Sequence, residues 1–202
     1  FVAKKTDIFD EEKRVAEKVP VDEITMDNLS KKEPKVEKEI LKENNFLLVS
    51  FIALIPAREN SKRIKNKNIL KYRNKTLVEI SILHAKKSKY IKEIYISTDS
   101  NKIKNIAHRH RIKVPFVRPK RLSNSKTKME EVVNHFLKKT NVHKKFKYLV
   151  LLQPTSPLRK SLDIDNSCYR AIKYKSDVIV SGIRKKIKQK NPKMMKILNK
   201  KK

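Results

Sequence analysis

Three observations predict an α/β fold: a mostly parallel sheet with helices on both faces. Two continuous apolar, β-rich runs, Phe46–Ile55 (FLLVSFIALI) and Tyr148–Leu152 (YLVLL), have the pattern of strands buried on both sides. Segments of helical spacing about ten residues long alternate with strand-like runs, the rhythm of parallel strands joined by crossover helices. The unusual polar clusters fall just after Ile55, Ile96 and Leu152, where the carboxyl ends of parallel strands open into ligand-binding loops.

In chain order, Phe46–Ile55 is the first strand. A turn at Arg73-Asn74-Lys75 precedes Leu77, Ile80, Leu83 and His84, which share one helix face. Ile91–Ser97 (IKEIYIS) alternates as a strand, and Lys102–His110 follows as a helix. Val114-Pro115-Phe116-Val117 reads as a short strand ended by Pro119. Met129, Val132, Val133, Phe136 and Leu137 mark the next helix, before the strand Tyr148–Leu152. Ile164–Tyr174 reads as a helix and Asp177–Ser181 (DVIVS) as a strand. The whole is Rossmann-like.

Composition narrows the function. The 202 residues carry 52 Lys+Arg against 21 Asp+Glu, a net charge of +31. Residues 1–49 hold 10 basic and 12 acidic residues, so the remaining 153 residues hold 42 and 9. This break, with Pro20 and Pro34, marks residues 1–45 as a poorly ordered or partly helical appendage or linker beside a domain at 46–202. Ile24–Leu29 (ITMDNL) faintly resembles part of the antifreeze-like domain of sialic acid synthases, with an unstructured linker as the alternative. Gly182 is the one glycine, where average usage gives roughly fourteen. Lys, Asn and Ile are abundant, so part of the charge reflects compositional drift. A single cysteine, Cys168, excludes a disulfide framework. On its expected helix it reads as a small buried side chain. No run approaches the roughly 18 apolar residues of a membrane-spanning helix, and no secretory leader is evident. No membrane partner and a cytoplasmic location are expected. The five histidines (His84, His108, His110, His135, His143) show no metal-ligand spacing.

The loop leaving the first strand, Ile55–Asn68, concentrates Arg58, Lys62 and Lys67 with the donors Asn60 and Ser61. Arg grips phosphate in bidentate fashion, Lys acts as a point charge, and successive backbone N–H groups form an anion nest. It is not a Walker loop, because G-x-x-x-x-G-K-[ST] is absent. These residues alone leave phosphate binding and a merely solvated lysine-rich loop equally open.

Ile55–Asn68 resembles the opening motif of the acylneuraminate cytidylyltransferases, the CMP-sialic acid synthetases, with pattern I-P-A-R-x-x-S-K-x-x-x-x-K-N. Ser97-Thr98-Asp99 resembles that family's S-T-D, and Arg118-Pro119 with Leu122-Ser123 its R-P-x-x-L-S. Leu151–Arg159 (LLQPTSPLR) is similar to its most recognisable motif almost letter for letter, and the order is the family's. The resemblance implies a sheet of the nucleotide-diphospho-sugar transferase type. It also implies transfer of CMP from CTP to a nine-carbon 2-keto sugar acid, with pyrophosphate release and Mg²⁺ assistance. By motif position, Arg58, Ser61, Lys62 and Lys67 hold the triphosphate, with Lys67 and Arg58 acting on the reacting phosphate. Asn68 and Arg118 contact the nucleoside, Gln153 bonds the sugar acid, and Arg159 supports that loop or the acid's charge. Asp99 either orients nucleotide or loop, or caps the helix before Lys102.

Some positions depart from the family. Glu59-Asn60 sets a carboxylate near the phosphates, Ser125 stands where Asp is usual, and Lys126 and Lys128 stand where small residues are usual. Family members continue beyond the position of Lys202 with a dimerisation element and the Mg²⁺ carboxylates; residues 183–202 hold no Asp or Glu. The expectation is a C-terminally incomplete domain, weak or inactive alone, whose metal ligands and homodimer contacts would follow Lys202. The alternatives are a nucleotide-binding remnant and, least favoured, a basic nucleic-acid-binding protein. The basic residues are spread rather than striped, with no aromatic stacking platform among them.

Overall fold

The computed structural model describes residues 2–4, 50–61 and 64–181. In chain order the strands are β1 (Val2–Lys4), β2 (Phe51–Pro56), β3 (Lys71–Tyr72), β4 (Lys75–Thr76), β5 (Ile91–Ser97), β6 (Tyr148–Leu151) and β7 (Val178–Ile179). The helices are α1 (Leu77–Lys87), α2 (Asn101–Arg109), α3 (Met129–Thr140) and α4 (Ser161–Lys173). Among the described residues no helix is long and apolar enough to cross a membrane.

The main sheet has the order β5-β2-β6-β1-β7. β2 pairs in parallel with β5 on one side (Ile55 opposite Ile96) and with β6 on the other (Leu54 opposite Leu151). β1 pairs antiparallel with both β6 and β7. Four strands therefore run one way and β1 runs against them, so the sheet is mostly parallel. β2 is an inner strand between β5 and β6, every residue buried. Its side chains alternate between two cores. One packs Ala53 and Ile55 with Val78 and Ile82 of α1, Ile103 of α2 and Ile164 of α4. The other packs Ile52 and Leu54 with Val133, Phe136 and Leu137 of α3. A continuous apolar run was necessary because neither face of β2 meets water.

Chain direction around β2 matters for function. From β2 the chain crosses by α1 to β5 on one side, then returns by α3 to β6 on the other. Strand order thus reverses between β2 and β6. A crevice opens at such a switch point beyond the strands' carboxyl ends.

Several boundaries differ from expectation. The first strand starts at Phe51 among the described residues, and residues 46–49 lie outside them. Val114–Val117 is not a strand: Lys113 and Val117 make only isolated bridges to Tyr95 and Thr98, because the two prolines flanking Phe116-Val117-Arg118 deny the ladder its N–H donors. The last strand is shorter than Asp177–Ser181, covering Val178–Ile179. α4 begins earlier than Ile164, at Ser161, because the Asp163 carboxylate accepts the Lys160 N–H at 2.7 Å and closes its first turn. The turn at Arg73-Asn74 is a hairpin joining β3 and β4, with φ of 48° and 63° at its two central residues. Of residues 1–45, Val2–Lys4 lie inside the sheet rather than beside it; the remainder, including Ile24–Leu29, lies outside the described residues.

The shortage of glycine has a structural cost. α2 ends with Ile112 N–H bonded to Ala107 C=O (2.9 Å) and Arg111 N–H to His108 C=O (2.8 Å). α4 ends the same way through Ser176 to Ala171 (3.1 Å) and Lys175 to Ile172 (3.2 Å). These are Schellman motifs, whose left-handed residue is usually glycine; here Arg111 (φ 55°) and Lys175 (φ 50°) fill it. A Cβ in that conformation costs roughly 1–2 kcal/mol, partly offset by glycine's greater freedom when unfolded. Arg111→Gly and Lys175→Gly should each stabilise the fold by about 0.5–1 kcal/mol, read as a higher urea midpoint at unchanged slope.

Candidate functional site

Three loops leave the carboxyl ends of neighbouring strands: one after β5 (Ser97–Ser100), one after β2 (Ala57–Leu70) and one after β6 (Leu152–Lys160). The basic loop and the Gln153–Arg159 loop therefore emerge side by side at the switch point. Leu152 N–H reaches back to Leu54 C=O at 2.9 Å, extending the ladder to the start of the second loop.

Ser97–Ser100 organises its neighbours. Ser97 C=O accepts Ala57 N–H at 3.0 Å, and Thr98 C=O accepts Arg118 N–H at 2.8 Å. Arg118 is only 4% exposed. Its Nε donates to Ser97 Oγ at 3.0 Å, and its Nη2 donates to Ser97 C=O. Burial pushes the Arg118 guanidinium down to about 10, with Asp99 acting to raise it and Arg58 to lower it. That is still far above neutrality, so the group stays charged. Its observed partners lie in the strand end, underneath the basic loop.

Asp99 does not cap α2. The residue at that cap is Ser100, with no side-chain capping bond. Instead Asp99 Oδ1 accepts the Glu59 N–H at 2.8 Å. Of the two roles open from sequence, loop orientation is the one with an observed bond. Ser100 Oγ donates to Glu59 Oε1 at 3.2 Å, which turns that carboxylate toward β5. Asn68, buried in the short 3₁₀ turn Lys67–Ile69, donates its Nδ2 to Arg58 C=O at 2.8 Å. This bond draws Lys67 and Arg58, nine positions apart, into one loop. Arg58, Ser61 and Lys67 are half-buried there, while Lys62 lies outside the described residues.

In the neighbouring loop Gln153 is exposed and Pro154 fully buried, so the proline anchors the turn and leaves the glutamine side chain at the surface. Ser156 N–H bonds Gln153 C=O, and Arg159 N–H bonds Ser156 C=O, each at 3.3 Å. Arg159 turns back against α1, with Nη2 at 3.4 Å from Ser81 Oγ. Burial lowers its pKa, and Asp163 acts against that. This contact ties the loop to α1, while the buried Arg159 Nε has no hydrogen-bond partner. Sequence reasoning missed Ser97, Ser81 and Ser100 as loop-setting residues. Their signal is faint: small hydroxyl residues at strand or helix positions that prove almost fully buried.

Two histidines flank this region without hydrogen-bond partners on their buried Nδ1 atoms: His84 and His135. Burial lowers both pKa values from the ordinary 6.5; Arg159 and Lys87 add to the effect at His84, Lys139 and Arg121 at His135. His135 also meets the Phe116 ring edge-on at 4.6 Å. A lowered folded-state value means that the unfolded chain binds protons first. Stability is intact above 6.5 and is lost as pH falls below it toward the folded-state values. Tm should therefore drop between about pH 7 and pH 5.5, a window set by histidine titration. A His84→Gln, His135→Gln double variant should flatten that slope. Cys168 is fully buried, and burial first, then Asp165, pushes its thiol up, which suits packing rather than nucleophilic chemistry.

Residues 52–201 match the cytidylyltransferase family. The chain belongs to that family. The chain is 36% identical over 110 residues to a CMP-N,N'-diacetyllegionaminic acid synthase of Legionella pneumophila, covering 54% of this chain and 47% of that protein. It is 34% identical over 113 residues to an N-acylneuraminate cytidylyltransferase of Escherichia coli, covering 56% and 26% respectively. A pseudaminic acid cytidylyltransferase of Campylobacter jejuni is 33% identical over 108 residues, covering 53% and 47%. The matched stretches thus span half or less of these curated relatives. The fold is shared with a solved CMP:2-keto-3-deoxy-manno-octonic acid synthetase complexed with CTP (TM-score 0.52, 17% identity, 61% of this chain and 48% of that one).

A Mg²⁺ ion, expected from the family, finds no ready carboxylate site among the described residues. Among the described residues no three His, Cys, Asp or Glu side chains gather to hold a metal. Asp99 Oδ1 and Glu59 Oε1 already accept protein hydrogen bonds, and Arg58 and Arg118 lie in the same neighbourhood. Hard divalent cations favour several oxygen ligands, so these residues do not fit the ion.

Proposed function

We propose that this protein transfers CMP from CTP to the anomeric hydroxyl of a nine-carbon 2-keto sugar acid, releasing pyrophosphate. The observation that carries this reading is the shared edge: the basic loop after β2 and the Gln153–Arg159 loop leave adjacent parallel strands at the switch point. Family membership supports the nucleotidyl-transfer chemistry, and the relatives' names support a sugar acid of the sialic, legionaminic or pseudaminic type.

The reaction forms a bond from the sugar oxygen to the α-phosphorus and breaks the bond from that phosphorus to the oxygen leaving with pyrophosphate. Negative charge builds on the equatorial and leaving oxygens. Arg58, Lys67 and Lys62 are the cations assigned to that charge, and Ser61 is a donor to the phosphates. Because their loop is held by the Ala57 and Glu59 N–H bonds and by Asn68, little reorganisation is needed as charge develops. Gln153, exposed at the mouth of the neighbouring loop, is the donor and acceptor assigned to the sugar acid. Arg118 acts from beneath, holding Ser97 and adding positive potential, with any nucleoside contact made through donors that Ser97 does not use.

The test is direct. The protein is incubated with CTP, Mg²⁺ and each of N-acetylneuraminic, legionaminic and pseudaminic acids, and pyrophosphate release is followed, with CTP affinity measured separately by calorimetry. The reading predicts micromolar-to-millimolar CTP binding and product with at least one of these acids. CTP binding without product from any of them leaves a nucleotide-binding protein, and absence of CTP binding contradicts the reading altogether.

A further inference from the structure

The bonds made by Asp99 and Asn68 converge on one peptide group. Arg58 C=O and Glu59 N–H belong to the same planar amide, and in a trans peptide they point in opposite directions. Asn68 Nδ2 holds the carbonyl end at 2.8 Å, and Asp99 Oδ1 holds the N–H end at 2.8 Å. The amide is thus gripped from both sides by residues 10 and 40 positions away in sequence. Rotation of this plane about the line between its two Cα atoms would break both bonds at once.

The grip on the N–H end is itself braced. Ser100, 3% exposed, ties the Glu59 side chain to the same loop as Asp99. Ser100 N–H is in turn fixed on Thr98 Oγ1 at 3.1 Å. Thr98 C=O holds Arg118, whose charge Asp99 offsets. An anionic acceptor makes a stronger bond to an N–H than a neutral one does, and here it also moderates the repulsion between Arg58 and Arg118.

We propose that Asp99 is a positioning residue for the triphosphate loop: it clamps the Arg58–Glu59 peptide against Asn68, and so fixes the direction from which Arg58 meets phosphate. The clamp engages the Glu59 N–H, so the anion-binding donors of this loop are Arg58, the residues from Asn60 onward, and Lys67. This inference rests on the CTP reading above, and two measurements separate their failures.

The test compares wild type with Asp99→Ala and Asp99→Asn. Calorimetry reads CTP affinity, and NMR reads hydrogen exchange at the Glu59 amide. In wild type the Glu59 amide should be protected, even without CTP. Asp99→Ala should expose that amide and weaken CTP binding about ten-fold or more, the loss expected when one partner of a charged hydrogen bond is removed. Asp99→Asn retains an acceptor oxygen, so it should restore protection and most of the affinity, which loss of general stability would not explain. Wild-type affinity in Asp99→Ala, or a Glu59 amide that stays protected there, overturns the positioning role alone. A wild type that binds no CTP overturns the nucleotide reading and this role together.

Discussion

Arg58→Ala is expected to lower cytidylyl transfer about 10²–10³-fold, the effect of removing one preorganised donor from developing transition-state charge. The loop residues assigned to phosphate are not equivalent. Arg58 is the one whose own peptide is fixed at both ends, by Asn68 and Asp99. Its guanidinium therefore starts from a defined backbone, and its bidentate geometry matches two phosphate oxygens. Arg58→Lys keeps the charge but loses the fork, so it should recover only part of the rate. The fall should appear mainly in kcat/KM for CTP, with the melting temperature nearly unchanged because the side chain is half-buried rather than packed in the core. Pyrophosphate release under saturating sugar acid checks it.

Phe51→Ala should produce the largest loss of stability, about 3–5 kcal/mol. Phe51 is fully buried at the start of β2, an inner strand of the sheet. Its ring stacks on Tyr148 of β6 at 4.9 Å between centroids, and meets Tyr90, just before β5, edge-on at 5.9 Å. One side chain thus bridges the three strands whose loops make the candidate site. Truncation leaves a cavity among them and forfeits two aromatic contacts, each worth about 0.5–1.5 kcal/mol beyond area. A domain of this size has only about 5–15 kcal/mol of stability, so the variant should unfold at markedly lower urea. Phe51→Leu fills more of the space and should lose considerably less.

How much was legible in the sequence follows from range. β5 and α3 were readable almost residue for residue, because a β-rich run and three-to-four spacing are local properties of the sequence. β2 was readable because burial on both faces demands an unbroken apolar run. Val114–Val117 misled because its β-branched and aromatic composition suits a strand, while its prolines leave it only isolated bridges. The turn at Arg73-Asn74 was legible, but the strands it joins are two residues each, too short to show any alternation. Placement of Val2–Lys4 between β6 and β7 depends on pairing across more than a hundred residues, which no local pattern encodes.

The candidate site divides along the same line. Arg58, Lys67 and Gln153 stood out because their motifs are local and lie just after strand-like runs. Their supports did not. Nothing in the spacing of Asp99 and Glu59 announces a 2.8 Å bond between residues 40 apart, and Ser81 gives no sign in sequence that it meets Arg159. Arg118 and Asn68 carried motif-based expectations of nucleoside contact, yet their observed bonds are to the protein's own strand end and loop. Side chains that place other side chains are harder to read than those that face a ligand, because their partners are set by the fold.

The most direct measurement is amide hydrogen exchange of the intact protein with and without CTP plus a sialic-type sugar acid. If the loops after β2 and β6 form one binding site, protection should rise together at residues 57–61 and 153–159 and stay unchanged on the far edge of the sheet. Protection confined to one of these loops, or appearing only elsewhere, would contradict it.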